Sequence, residues 1–208
     1  MRDAKPRFCR ARIVMAMHVR LASPDDGPAC AAVYAPYVTG TAISFELAPP
    51  DGAEIADRIT RTISRTPWVV VEVDGVVRAY AYAGRFRERP AYDWTAETTV
   101  YVDRAFQGLG LGRAAMRAVL AILRLQGFHM AIAGVTPPNP GSVGLHLRLG
   151  FERIGLFEEV GWKDGAWHGV EFFRLELSPP EPAPLPVRPL LELAGSDELR
   201  RVLADATA

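Results

Sequence analysis

Three glycines at alternate positions, Gly108, Gly110 and Gly112, stand between a β-branched stretch and an amphipathic one. Residues 98–102 read Thr-Thr-Val-Tyr-Val and favour a strand. Behind the glycines, Leu111, Ala115, Ala118, Ile122 and Leu125 recur at helical spacing. Strand, glycine loop and helix together aim free backbone N–H groups and the positive end of a helix at one place. The chemistry this suits is anion binding, and the expected ligand carries phosphate. A P-loop would need Gly-Lys and then Ser or Thr where the chain has Gly112-Arg113-Ala114. A dinucleotide fingerprint counted from Gly108 would need glycine where Arg113 stands, and no acidic residue follows at the usual distance. Two readings remain: the Gln-x-x-Gly-x-Gly spacing of Gln107, Gly110 and Gly112, or a plain glycine-rich turn before a helix.

The surrounding elements follow in order. Residues 18–22 read as a short strand, and Ser23-Pro24-Asp25-Asp26 as the start of a helix ending near residue 38. Residues 39–47 form a loop with Ile43 and Phe45 directed at something apolar. A second helix covers 51–65, with Ile55, Ile59 and Ile63 on one stripe. Strands at 68–73 and 76–83 flank the hairpin signal Asp74-Gly75. After the central helix, Gln126-Gly127 caps its end, 130–135 is a strand, and Asn139-Pro140 opens a short helix stopping at Gly150. Residues 151–160 and 169–177 read as two antiparallel strands. The order predicts an α/β (mixed α+β) domain with one twisted mixed sheet of about six to seven strands and helices on both faces.

The expected organisation has three parts. Residues 1–16 are a disordered or misannotated extension, 17–178 the folded domain, and 179–208 a proline-rich linker with one short helix carrying Leu191, Leu199 and Val202. Lysine plus arginine, 24, equals aspartate plus glutamate, 24, which argues against nucleic acid as a partner. No apolar run is long enough for a bilayer, so no membrane role is expected. Two cysteines, Cys9 and Cys30, make neither a disulfide framework nor a metal site, and a cytoplasmic setting is the default.

At this point the chain resembles the Gcn5-related N-acetyltransferases, and within them the phosphinothricin and methionine sulfoximine N-acetyltransferases. The residues that carry the resemblance are Pro67-Trp68-Val69-Val70-Val71-Glu72-Val73-Asp74-Gly75, Ala81-Tyr82-Ala83-Gly84, and Tyr92-Asp93-Trp94-Thr95-Ala96-Glu97 with the strand after it. Gln126-Gly127-Phe128, Asn139, His146 before Leu149-Gly150-Phe151, and Trp167-His168 extend it over roughly 18–180. The resemblance implies the fold of that family and acetyl-CoA as co-substrate, with no metal. It implies that Val100, Tyr101 and Val102 line the pantetheine arm. It places Gln107, Gly108, Leu109, Gly110, Leu111, Gly112 and Arg113 on the pyrophosphate, and Asn139 and Ser142 nearer the thiol. A small-molecule amine substrate and a homodimer are the further family expectations.

Two residues are candidates for the proton chemistry of acetyl transfer. Glu97, one residue from the cofactor strand, would act as base toward a protonated amine or bind its ammonium. His146, seven after Asn139, would relay a proton to or from the leaving thiolate. Arg87, Glu88, Arg89, Glu97, Thr98 and Thr99 are the implied acceptor contacts, and arginine suits an anionic substrate end through paired donors. Phe45, Tyr92, Trp94, Trp162 and Trp167 are candidate pocket walls, each with core or interface packing as its plainer explanation. Two alternatives stay open: a different amine acceptor (amino acid, polyamine, antibiotic or protein N-terminus), or a module that senses acyl-CoA without turnover.

Overall fold

A computed structural model describes residues 16–207. The expectation for the amino-terminal extension therefore lies outside the described residues, apart from Ala16. Seven strands make one sheet in the order β1-β2-β3-β4-β5-β7-β6. They are β1 (Met17–Leu21), β2 (Trp68–Val73), β3 (Val76–Arg85), β4 (Thr95–Val102), β5 (Met130–Val135), β6 (Glu152–Lys163) and β7 (Ala166–Glu176). β4 and β5 pair in parallel, and the other neighbours are antiparallel.

Strand alternation divides the core in two. Val69, Val71, Val73, Ala79, Ala81, Ala83, Ala96, Ala131, Ala133 and Phe173 face one side. Small alanines there let α3 (Leu111–Gln126) lie close, with Ala115, Met116, Val119, Ile122 and Leu123 buried against the sheet. On the other side Trp68, Val70 and Tyr80 meet α1 (Gly27–Thr39) and α2 (Gly52–Ile63). α2 is fixed at its start by Asp51, whose carboxylate accepts from Glu54 N–H at 2.8 Å. The short helix α4 (Pro140–Arg148) is capped by Asn139, which accepts from Ser142 N–H at 3.1 Å.

Several element boundaries move. The last hairpin is longer than the sequence suggests, because its turn is only Asp164-Gly165, with φ of 50° and 80°. The largest correction concerns the tail. It is not a linker clear of the core: Leu190, Leu193, Leu199 and Ala206 are buried in the α3-side cluster. Nor does it form one helix. Gly195, at φ 77°, separates α5 (Leu190–Leu193) from α6 (Asp197–Asp205) and resets the helical phase. Leu191 is therefore 63% exposed, while Leu190 and Leu193 are buried. Gln126 holds the approach to the tail through Nε2, which donates to Arg188 O (2.7 Å) and Arg65 O (2.6 Å).

Leu193→Ala should then behave as a core truncation. Its expected cost is about 2–5 kcal/mol in chemical denaturation, whereas a residue on a linker would leave the midpoint nearly unchanged.

Candidate active site

The site begins where two strands part. β4 pairs with β5 at Thr95–Met130, Ala96–Ala131 and Glu97–Ile132, and the pairing stops there. β3 stays paired to β4 as far as Val102. Hydrogen bonding in an antiparallel ladder alternates, and Asp103 N–H donates to Arg78 O at 2.7 Å. The odd residues of β4 therefore spend their backbone groups on β3. The even ones, Thr98, Val100 and Val102, turn theirs toward the place β5 has left. At the fork, the Thr98 hydroxyl donates to Ile132 O at 3.2 Å.

Beyond the fork a cleft of about 800 Å³ passes through the sheet. Tyr37, Ile43, Thr99 and Tyr101 border it from the α1 side, and Val100, Leu145 and His146 from the α3 side. The glycine loop stands at its head. Gly108 and Gly110 have φ of 76° and 93°, where a side chain would be strained. Gly112 is tight instead: a Cβ would sit 3.2 Å from Val102 Cγ2 and 3.5 Å from Leu145 Cδ2. The first N–H groups of α3 have no partner within the helix, so an anion is their natural complement.

Of the residues expected at the cofactor, Val100, Tyr101, Val102, Gln107, Gly108, Gly110, Leu111, Gly112, Arg113, Asn139 and Ser142 all line this cleft. Leu109 does not; it is half exposed beside it. Thr98 and Thr99 line the cleft, whereas Arg87, Glu88, Arg89 and Glu97 lie outside its lining. Glu97 is on the α1 face of the sheet, half-buried, and burial raises its carboxyl above the ordinary value while Arg87 opposes that rise. Arg87 stacks on Phe86 at 4.4 Å and donates to Phe86 O at 2.9 Å. Arg85 is tied to Asp93 at 3.5 Å and donates to Glu88 O at 3.2 Å.

His146 is buried on the other face, edge-on to Phe151 and stacked near Phe173. Its Nδ1–H donates to the Ser142 carbonyl at 2.9 Å, which leaves Nε2 as a lone-pair acceptor. Nε2 is buried and has no partner within the protein. Desolvation lowers the imidazole pKa, so it is neutral near pH 7.

Sequence reasoning missed Tyr37. Its phenol accepts from Gln107 Nε2–H at 2.8 Å and donates to the Val102 carbonyl. One hydroxyl therefore joins the glycine loop to the end of β4. The motif glutamine at 107 was the available signal, but its partner comes from 70 residues away. Of the expected aromatic walls, none lines the cleft. Trp94 donates to Leu185 O at 2.8 Å and holds the tail, Tyr92 meets Phe86, and Trp162 pairs with Trp167.

Comparison with known proteins places this geometry. Residues 39–151 match the model of the acetyltransferase (GNAT) family. The chain is 38% identical over 177 residues to phosphinothricin N-acetyltransferase of Streptomyces viridochromogenes, covering 85% of this chain and 96% of that one. It is 34% identical over 175 residues to the L-methionine sulfoximine/L-methionine sulfone acetyltransferase of Pseudomonas aeruginosa, covering 82% and 100%. A solved structure, a GNAT superfamily phosphinothricin acetyltransferase from Sinorhizobium meliloti in complex with AcCoA, superposes with a TM-score of 0.77 at 30% identity. That match covers 85% of this chain and 99% of that one.

Tyr37→Phe keeps the ring and removes both hydrogen bonds, leaving the Gln107 amide and the Val102 carbonyl without this partner. The expected loss of stability is about 1–3 kcal/mol in denaturant titration. Gln107→Ala should cost less in the Tyr37→Phe background than in the wild type, a coupling on the order of 0.5 kcal/mol or more. Additive losses would show that the relay does not act as a unit.

Proposed function

The chain belongs to the acetyltransferase (GNAT) family and is an N-acetyltransferase; on that premise we propose that it moves the acetyl group of acetyl-CoA to the α-amino group of a small amino acid analogue, of the phosphinothricin or methionine sulfoximine kind. One observation carries this reading: beyond the fork in the sheet, a cleft headed by the glycine loop is lined by the buried, neutral His146, while Glu97, its carboxyl raised by burial, stands at the fork just outside that lining.

The residues present fit acetyl-CoA. The backbone groups of Val100 and Val102 on the β5 side suit the amides of a pantetheine arm, as an added strand would. Gly110 and Gly112 leave backbone bare for a pyrophosphate, and Arg113, on the cleft lining, adds a charge-assisted donor. Acetyl-CoA supplies an activated thioester, and the chain's own residues handle the protons. An α-amino group is mostly protonated near neutrality. Glu97 takes that proton, directly or through a water, and the freed nitrogen bonds to the acetyl carbon as the carbon–sulfur bond breaks. The backbone N–H of Val102, which turns toward the cleft, stabilises charge on the carbonyl oxygen. The nitrogen, once bonded to the acetyl carbon, carries one proton too many; His146 receives that proton at Nε2 and passes it to the departing sulfur. Burial disfavours its cationic form, so it releases the proton readily. Arg87 favours the ionised form of Glu97 and is the arginine best placed for the acceptor's anionic end, while Arg85 is held by Asp93. Glu88 and Arg89 are exposed outside the cleft lining, and Thr98 and Thr99 lie on it; these four are the remaining proposed acceptor contacts.

The working protein is, on this proposal, a homodimer. Phe157, Trp162 and Trp167 of the last hairpin are each more than half exposed, at 57%, 56% and 58%, and Ile154, Leu156 and Val160 of the outermost strand are exposed apolar residues as well, spread over both faces of the hairpin. A second copy of the hairpin has matching chemistry. Sedimentation should show a dimer at micromolar concentration, and Trp162→Asp should give a monomer; a monomeric wild type would refute the assignment.

Acetyl-CoA-dependent thiol release, measured with phosphinothricin, methionine sulfoximine, methionine sulfone, ordinary amino acids and spermidine, tests the reaction. Release with the first two should fall by about 10²-fold or more in Glu97→Gln and His146→Ala. The acid limb of kcat/KM reports ionisation of Glu97, so activity should be lost as pH falls through a value above the usual carboxylate range. Arg87→Gln should move that limb upward, because a charge favouring the carboxylate is gone. Release with spermidine alone would instead reassign the acceptor.

A further inference from the structure

Gly134 is a gap in an otherwise filled strand. It lies on β5 just past the fork, opposite Phe172 of β7. Its neighbours Ala133 and Val135 are buried, yet Gly134 is exposed and lines the cleft. Its backbone is not among those with positive φ, so conformation does not demand glycine there. Space does. A Cβ would lie 3.2 Å from Val170 Cγ1, 3.6 Å from Phe172 Cε1 and 3.9 Å from Glu97 Oε1. By alternation it would project on the same face as Glu97. A side chain at 134 would therefore stand between the Glu97 carboxylate and the cleft that does not otherwise include it. A glycine within a strand commonly marks close approach by a ligand or another backbone.

We propose that Gly134 is a specificity-determining position: its missing side chain forms the passage by which the acceptor amine and the substituents on its α-carbon reach Glu97. The size of residue 134 limits which amines are acetylated. This rests on Glu97 being the proton acceptor of the preceding section.

The test compares wild type, Gly134→Ala, Val170→Ala and the double variant. The readouts are kcat/KM for the best acceptor, Kd for CoA by calorimetry, and melting temperature. Alanine fits the local backbone, and the closest atom it meets is a methyl at the end of Val170, so the variant should fold. Gly134→Ala should lose on the order of tenfold to a hundredfold in kcat/KM, with Kd for CoA held within about twofold, because only the amine is displaced from its reacting position. The double variant removes the crowding with Val170, so any lost thermal stability returns while transfer stays low. Full recovery of transfer in the double variant would overturn the proposal, since packing against Val170 would then be all that the glycine serves. So would a Gly134→Ala enzyme with wild-type kcat/KM. A wild type that binds CoA and acetylates none of the amines overturns the Glu97 reading and this inference together; normal wild-type transfer matched by Gly134→Ala overturns the inference alone.

Discussion

The parting of β4 from β5 after Glu97 and Ile132 is the constraint on which the rest depends. β5 is held to β7 through Gly134–Phe172 and Val135–Glu171, so it cannot follow β4, which β3 carries on to Val102. Peptide groups left without a ladder partner are costly when buried, by about 1–3 kcal/mol each. The chain satisfies some of them itself: Thr98 spans the fork, and Tyr37 takes the Val102 carbonyl. The remainder, on Val100 and Val102, face the cleft and are met by solvent or by a ligand with amides of its own. The opening is also what connects the two faces of the sheet.

Around that opening the structure is pinned. Lys163 is 3% exposed, and its three ammonium donors reach three carbonyls, Val38 O at 2.6 Å, Ser44 O at 2.7 Å and Thr41 O at 3.0 Å. A buried ammonium is tolerated only when its donors are met in this way. The result ties the end of α1 and residues 41–44 to the last hairpin, and Phe45 closes over Gly161, where a Cβ would overlap its ring at 2.2 Å. Tyr37 at the end of α1 and Ile43 beyond it are therefore set by contacts far from the fork. His146 differs: one ring nitrogen is fixed by Ser142, and the other is buried without a partner in the protein. Orientation is supplied by the surroundings, and capacity for proton transfer is kept where the ligands meet.

Much of this was legible in the sequence, because the relevant signals are local. β-Branched and aromatic runs marked the strands, Asp74-Gly75 a hairpin, Asn139 a cap, and the glycine loop the head of the cleft. Gcn5-type resemblance added the roles proposed for Glu97 and His146. What stayed hidden depends on distant partners. Tyr37 reads as one more aromatic on a helix until Gln107 and Val102 come beside it. The tail reads as a linker because proline dominates its composition, yet four of its residues complete the α3-side core. Its helical stripe was misassigned because a single glycine, Gly195, restarts the phase. Gly134 could have been noticed as a glycine inside a strand, but nothing local says that its empty side faces a carboxylate.

On the proposed roles, the two proton carriers lie on different faces of the sheet. β4 alternation puts Glu97 with Thr99 and Tyr101 on the α1 face, while His146 packs against Phe173 on the α3 face. Burial pushes the two groups in opposite directions, raising the carboxyl and lowering the imidazole, because desolvation disfavours the charged form of each. Both shifts favour the uncharged form of the group concerned. A continuous ladder between β4 and β5 would keep them apart on opposite sides of a closed sheet. On the proposed reading, the break that exposes the backbone of Val100 and Val102 is also what brings the two faces of the sheet to one reacting bond.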